Sequence, residues 1–287
     1  MQSALSPSVP VVAFEKIASR QNPRVLRLVK LRERATRVAE GVFLLEGLRE
    51  LERAVLSGIE IREFYFCPEL IRNPLAEKVF SLAKKMLPAA AIGELSRPAF
   101  EKVSYREKPE GVLAVAKMRS HRLENLRVPA GTPPLFLVAE SIEKPGNLGA
   151  LLRTADSAGC TALICCGDAG TDIYNPNVIR ASQGTLFSVP LAVASNEAAF
   201  AWLKAQGVTV FATSPAAKKV YWDCDFRVPA AILMGTEATG LTDFWLGKCA
   251  DAGIVPVSIP QAGLADSLNV SMAATICLFE AVRQRNS

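Results

Sequence analysis

The second half of the chain carries six short apolar runs, Leu135–Ala139, Ala162–Cys166, Leu186–Pro190, Val208–Ala212, Ala231–Met234 and Gly253–Val257, separated by helix-length segments. Runs that are apolar without alternation need cover on both faces, and helices between strands supply it. The pattern therefore predicts an α/β domain built on a parallel sheet. A last helix is predicted from about Leu268 to Arg283. Ligands of such sheets sit beyond the C-terminal strand ends, in the loops that lead into helices.

The first half predicts a smaller α/β domain. Asn22-Pro23 opens a helix, Asn at the N-cap and Pro in the first turn. Strands are predicted at Val42–Gly47, Ile61–Phe66 and Gly111–Ala116, with helices at about Leu48–Ser57 and Asn73–Lys85. Residues 1–12 read as a loose tail, 13–117 as the first domain, 118–134 as a linker and 135–287 as the second domain.

Charge divides along the same line. Residues 1–134 hold 23 Lys and Arg against 15 Asp and Glu, a net of +8, whereas residues 135–287 hold 10 against 13, a net of −3. Arg20, Arg24, Arg27, Lys30, Arg32, Arg34 and Arg37 face one acid, Glu33, and the spacing of Arg24, Arg27, Arg34 and Arg37 predicts one helical stripe. Such a stripe suits the phosphates of a nucleic acid, and equally the outer face of an ordinary amphipathic helix.

Half the residues are hydrophobic and about a fifth are charged, which provides for real cores and excludes a disordered chain or a disulfide-stapled miniprotein. No apolar run approaches the ~18 residues of a membrane span, and Met1 to Phe14 lacks the basic start of a secretory signal. The seven cysteines include no CxxC pair, so reduced thiols in the cytoplasm are expected. His121 is the single histidine, which argues against a zinc site and against a Ser-His-Asp or Cys-His unit.

Three loops at predicted strand ends carry the informative residues. The first, Glu140 to Gly159, holds NxGxxxR, with Asn147 as a helix cap and Arg153 six residues on. The second, Ile232 to Leu241, sets Glu237 between Gly235 and Gly240 and fits neither the dinucleotide nor the NTP fingerprint. The third, Val257 to Arg285, gathers Ser267, Asn269 and Ser271 at a helix start. Each alone also reads as ordinary capping.

Together, NxGxxxRTA, MGxExxGL and SIPxxGxxxSLNVSxAA, in this order, resemble the SpoU (TrmH) family of RNA 2′-O-ribose methyltransferases within the SPOUT superfamily. Residues 135–285 carry the likeness, NPNVIRASQGTLFSVP (Asn175 to Pro190) adds a further element, and the first domain resembles the family's RNA-binding extension, with a fold like that of ribosomal protein L30e.

The resemblance implies a deep trefoil knot, a homodimer and S-adenosylmethionine bound mainly by main-chain groups. Met234, Gly235, Gly240, Ile259, Ser267 and Leu268 would contact the cofactor. Arg153 matches the catalytic arginine, and Asn147, Glu237 and Asn269 match polar residues at the reacting centre. Arg24, Arg27, Arg34 and Arg180 are candidate RNA contacts, Arg180 being as readily a sheet-edge salt bridge. No metal is implied. Lys144 and Gln261 stand where many members carry an acidic residue and Met. Ribosomal RNA (23S) is the expected substrate, with tRNA as the alternative and an RNA-binding protein without turnover as a third reading.

Overall fold

A computed structural model describes residues 14–167, 172–236, 239–249, 253–264 and 266–287. The expected tail, residues 1–12, and Glu237 lie outside the described residues. The chain forms two compact units, the first running through Lys117 apart from Leu56–Ile59, the second holding Met118–Ser287.

In chain order the first unit contains β1 (Glu15–Ile17), α1 (Pro23–Lys30), α2 (Arg34–Glu40), β2 (Val42–Glu46), α3 (Leu48–Leu56), β3 (Ile61–Phe66), α4 (Leu75–Met86), β4 (Ile92–Leu95), α5 (Arg97–Val103) and β5 (Val112–Lys117). Its mixed sheet has the order β1-β4-β3-β5-β2, with β5 antiparallel to both neighbours. Val25, Leu28, Leu31, Phe100 and Val115 belong to its core. The short β1, β4 and α5 escaped the sequence reading.

Asn22 caps α1 as expected, accepting from the Arg24 N–H at 2.9 Å. The predicted continuous stripe does not form, because the helix stops at Lys30 and restarts at Arg34. Leu31 is fully buried, and Glu33 is extended. The buried Arg37 guanidinium donates to the Leu31 and Arg32 carbonyls at 3.0 and 2.6 Å, satisfying groups that a helix end leaves open.

The second unit contains β6 (Leu135–Glu140), α6 (Pro145–Ser157), β7 (Ala162–Cys166), α7 (Pro176–Ser182), α8 (Thr185–Ser188), β8 (Leu191–Ala194), α9 (Asn196–Ala205), β9 (Thr209–Thr213), β10 (Ala230–Met234), α10 (Asp243–Lys248), β11 (Ile254–Val257) and α11 (Val270–Arg285). All six strands are parallel, in the order β11-β9-β10-β6-β7-β8. Phe136, Val138, Ile164 and Leu233 join Leu203 of α9 and Trp245 of α10 in one core layer. The alternate positions Leu137, Leu163 and Ile232 are equally buried, and α6 and α11 pack on that side.

The run at Leu186–Pro190 is not a strand. Gln183 and Gly184 turn the chain through left-handed conformations, α8 follows, and pairing begins only after Pro190, which has no N–H to donate. Residues 118–134 are more than a tether: Leu123 enters the sheet's core, and the His121 carbonyl accepts from the Val193 N–H at 2.7 Å.

β6 and β10 are neighbours, yet β6 feeds α6 on one face and β10 feeds α10 on the other. Loops that part to opposite faces leave a crevice at the strand ends, and this is where the three sequence motifs converge.

Candidate active site

A cleft of about 490 Å³ opens at this end of the sheet. Met234, Gly235, Gly240, Ile259, Ser267, Leu268 and Asn269, all singled out in the sequence, line it. The loop after β9 adds Thr213, Ser214 and Pro215, which no motif marked, although their place at a strand's C-terminal end was itself a signal. Lys144, Thr236, Thr239, Gln261 and Asp266 complete the polar lining.

The β10 loop closes on itself. The Thr236 N–H donates to the Gly240 carbonyl at 2.8 Å, and the Gly240 N–H to the Thr236 carbonyl at 3.2 Å. A Cβ on Gly235 would lie 2.3 Å from the Gly240 carbonyl carbon, and Gly240 has φ +73. Glycine at 235 is thus required by the pinch of the loop, in addition to any approach of a ligand.

Asn269 caps α11, accepting from the Ser271 N–H at 3.0 Å and the Ser271 hydroxyl at 2.6 Å. Its side-chain N–H donates to Asn147 Oδ1 at 3.2 Å. Asn147 is free for this because it does not cap α6: Pro145 opens the helix, and Lys144 occupies the N-cap. A second tie joins the helices, since the Thr154 and Thr275 hydroxyls lie 3.1 Å apart and Thr275 donates to the Ser271 carbonyl at 2.7 Å. Motifs 122 residues apart thus meet side chain to side chain.

The cleft suits an S-adenosylmethionine-sized ligand. Met234, Val257, Ile259 and Leu268 offer apolar wall, and the Asp266 carboxylate lines the same space. Among the described residues, the main chain of Ile259–Leu264 and Asp266–Leu268 makes no hydrogen bond. Polar main-chain groups without protein partners are available to a ligand's edges.

Arg153 projects into solvent from α6, six residues after Asn147, and does not line the cleft. Arg180 is exposed on α7. A Cβ on Gly149 would sit 2.4 Å from the Ala181 Cβ, so the glycine of NxGxxxR lets α6 and α7 touch and makes the two arginine-bearing helices neighbours. Neither arginine forms a salt bridge among the described residues.

The first unit's arginines are differently placed. Arg24 pairs with Glu15 at 2.8 Å, and Arg27 with both Glu40 and Glu63 at 2.6 and 2.8 Å. Arg32 donates to the Lys102, Val103 and Ser104 carbonyls at the end of α5. Arg34 is exposed and partnered. Of the expected phosphate-tracking stripe, Arg37 alone is buried, while Arg24, Arg27 and Arg34 reach the surface already engaged with partners.

The SpoU rRNA methylase family model matches residues 134–279, and a model of an MRM3-like substrate binding domain matches residues 22–114. A 23S rRNA (uridine(2479)-2′-O)-methyltransferase of Streptomyces viridochromogenes is 33% identical, covering 90% of this chain and 88% of its own. The 23S rRNA (guanosine(2553)-2′-O)-methyltransferase RlmP of Bacillus subtilis is 28% identical, covering 93% and 98%. Among solved structures, an AdoMet-bound rRNA methyltransferase from Sinorhizobium meliloti has a TM-score of 0.82 at 30% identity, covering 94% of this chain and 98% of its own.

Proposed function

The chain belongs to the SpoU rRNA methylase family, and from that premise we propose that it transfers a methyl group from S-adenosylmethionine to a ribose 2′-hydroxyl of 23S ribosomal RNA. The observation that carries this reading is the meeting of Asn147 and Asn269 beside a cleft lined by Gly235, Ile259 and Leu268. A bound sulfonium supplies an activated methyl, so the protein's task is alignment.

Met234, Ile259 and Leu268 would hold the cofactor's apolar parts and the main chain at Ile259, Gln261 and Asp266–Leu268 its polar edges. The paired Asn147 and Asn269 hold each other's amides in one orientation beside the reacting sugar. Arg153 would contact the 2′-oxygen and its neighbouring phosphate. A guanidinium is a standing cation, so its work is to stabilise the alkoxide that develops as the hydroxyl loses its proton. Arg180, on the adjoining helix, would take a second phosphate.

The first unit would hold the RNA body, with Arg24, Arg27 and Arg34 near the strand but only partly available to it. A cytoplasmic enzyme agrees with seven free cysteines. A homodimer is supported by Met272 and Phe279, 62% and 44% exposed and seven residues apart on α11. Light scattering tests it: Met272→Lys/Phe279→Lys should turn a dimer into a monomer, and a monomeric parent refutes the dimer. A deep trefoil knot in this chain is proposed on its family membership. An experimental chain trace without a knot would refute it.

Incubating the protein with labelled S-adenosylmethionine and either 23S rRNA or tRNA, then mapping ribose methylation, tests the reaction. Label in a single 23S nucleotide is expected. Label confined to tRNA would change the substrate, and label in neither would refute the activity.

A further inference from the structure

The last residue of β6, Glu140, is fully buried and faces three donors. Its Oε1 accepts from the Asn196 side-chain N–H at 2.7 Å and from the Thr242 hydroxyl at 2.6 Å. Its Oε2 accepts from the Thr242 main-chain N–H at 3.1 Å. All the donors are neutral, and Glu140 forms no salt bridge among the described residues. A carboxylate buried without a counter-ion is a poor device for stability, because desolvation opposes it.

Its neighbours give up bonds to reach it. Thr242 is the N-cap residue of α10, yet its side chain makes no cap hydrogen bond. The Asn196 carbonyl oxygen is buried with no partner. Both arrangements are unfavourable locally and make sense together as ways of aiming donors at Glu140.

The place explains the aim. Thr242 follows Gly240 and Leu241, the end of the pinched β10 loop that walls the cleft. Directly after Glu140, Ser141 turns the chain with φ +48 into the loop that carries Asn147 and α6. One side chain thus spans the crevice between the loop bearing the reacting-centre residues and the loop lining the cofactor cleft. Glu140 does not line the cleft itself.

We propose that Glu140 is a positioning residue: through Thr242 it fixes the Gly240 end of the cofactor-cleft wall against the strand end from which the Asn147 and Arg153 loop departs. This rests on the reading of the cleft as the S-adenosylmethionine site.

The test compares S-adenosylmethionine binding by calorimetry, and KM and kcat for methyl transfer, across four variants. In Glu140→Gln an amide NH₂ replaces an acceptor and opposes a donor. Cofactor Kd and KM should rise about tenfold or more while kcat at saturation stays within about threefold. In Glu140→Gln/Asn196→Asp the new NH₂ donates to the carboxylate introduced at position 196 and to the Thr242 hydroxyl, while the amide oxygen accepts from the Thr242 N–H. Most of the lost affinity should return. Thr242→Val removes one donor at nearly constant volume and should raise Kd about threefold.

Arg285→Gln is the control. Arg285 donates to the Phe226, Val228, Pro133 and Pro134 carbonyls at the opposite end of β6 and β10, so its loss should lower Tm and leave cofactor KM alone. Should Glu140→Gln fail to fold, the double variant and Thr242→Val carry the test. Unchanged Kd in both Glu140→Gln and Thr242→Val, or no recovery in the double variant, overturns the proposal. An unmodified protein that takes up no S-adenosylmethionine overturns the reading of the cleft, and the strut falls with it.

Discussion

Two sets of arginines, one in each unit, live under opposite conditions. In the first unit Arg27 bridges two carboxylates, Arg32 closes the end of α5 and Arg37 is buried against the end of α1. In the second, Arg153 and Arg180 stand in solvent without ion pairs among the described residues. Arg27, Arg32 and Arg37, in the unit with the higher positive charge, are therefore less available than Arg153 and Arg180. A charge count measures long-range attraction for a polyanion, whereas a contact to a reacting atom needs a guanidinium not already engaged by its own fold.

This contrast can be broken or sharpened by substitution. The largest effect is expected at Arg153: Arg153→Ala should lower turnover by about 10³ or more, the scale of lost transition-state charge stabilisation. Arg37→Met comes next and acts on stability alone. Removing a buried guanidinium that satisfies two helix-end carbonyls should cost about 2–4 kcal/mol in urea unfolding, with cofactor Kd unmoved. Arg180→Gln should leave unfolding unchanged and reduce the slope of log K for RNA against log salt by about 1. Arg27→Gln should do the reverse, losing about 1 kcal/mol of stability from a half-exposed double ion pair with the salt slope intact. A lowered slope for Arg27→Gln would return that arginine to the RNA surface.

The smallest effect belongs to the single imidazole. His121 Nδ1 lies 3.1 Å from the Leu191 carbonyl, and so donates to it. Nε2 then accepts from the Tyr174 hydroxyl at 2.8 Å, and that hydroxyl accepts in turn from the Arg119 N–H at 2.9 Å. Burial first, and the Arg119 charge after it, hold His121 below its ordinary value of 6.5. The unfolded chain then takes up a proton that the folded one refuses. The stability His121 contributes is full above pH 6.5 and declines as pH falls below it. Thermal unfolding of the parent and of His121→Asn between pH 8 and 5.5 should show the gap between them narrowing toward acid. A constant gap would remove His121 from the titration.

Much of the second unit could be read from its residues, since strands buried on both faces leave continuous apolar runs. Ala162–Cys166 falls where the sequence placed it. Leu186–Pro190 misled because apolar content does not distinguish a buried helical turn from a strand, and the decisive features were the Gln183–Gly184 turn and the missing N–H of Pro190. Asn147 was legible as a residue of the converging loops but not as one that leaves the helix uncapped, because Pro145 moved the helix start forward. The stripe failed because helical periodicity assumes an unbroken helix, and burial of Leu31 breaks it. Glu140 carried no signal at all: its partners, Asn196 and Thr242, lie 56 and 102 residues away and meet only through the sheet order.

The central claim is that a cleft at the ends of β6 and β10 holds the methyl donor while Arg153, outside it, readies the sugar oxygen. Measuring S-adenosylmethionine affinity and methyl transfer to 23S rRNA side by side in the parent and in Arg153→Ala tests it most directly. Equal affinities are expected, with transfer by the parent and almost none by the variant. Transfer by Arg153→Ala at the parent's rate, or a parallel loss of cofactor binding, would contradict it.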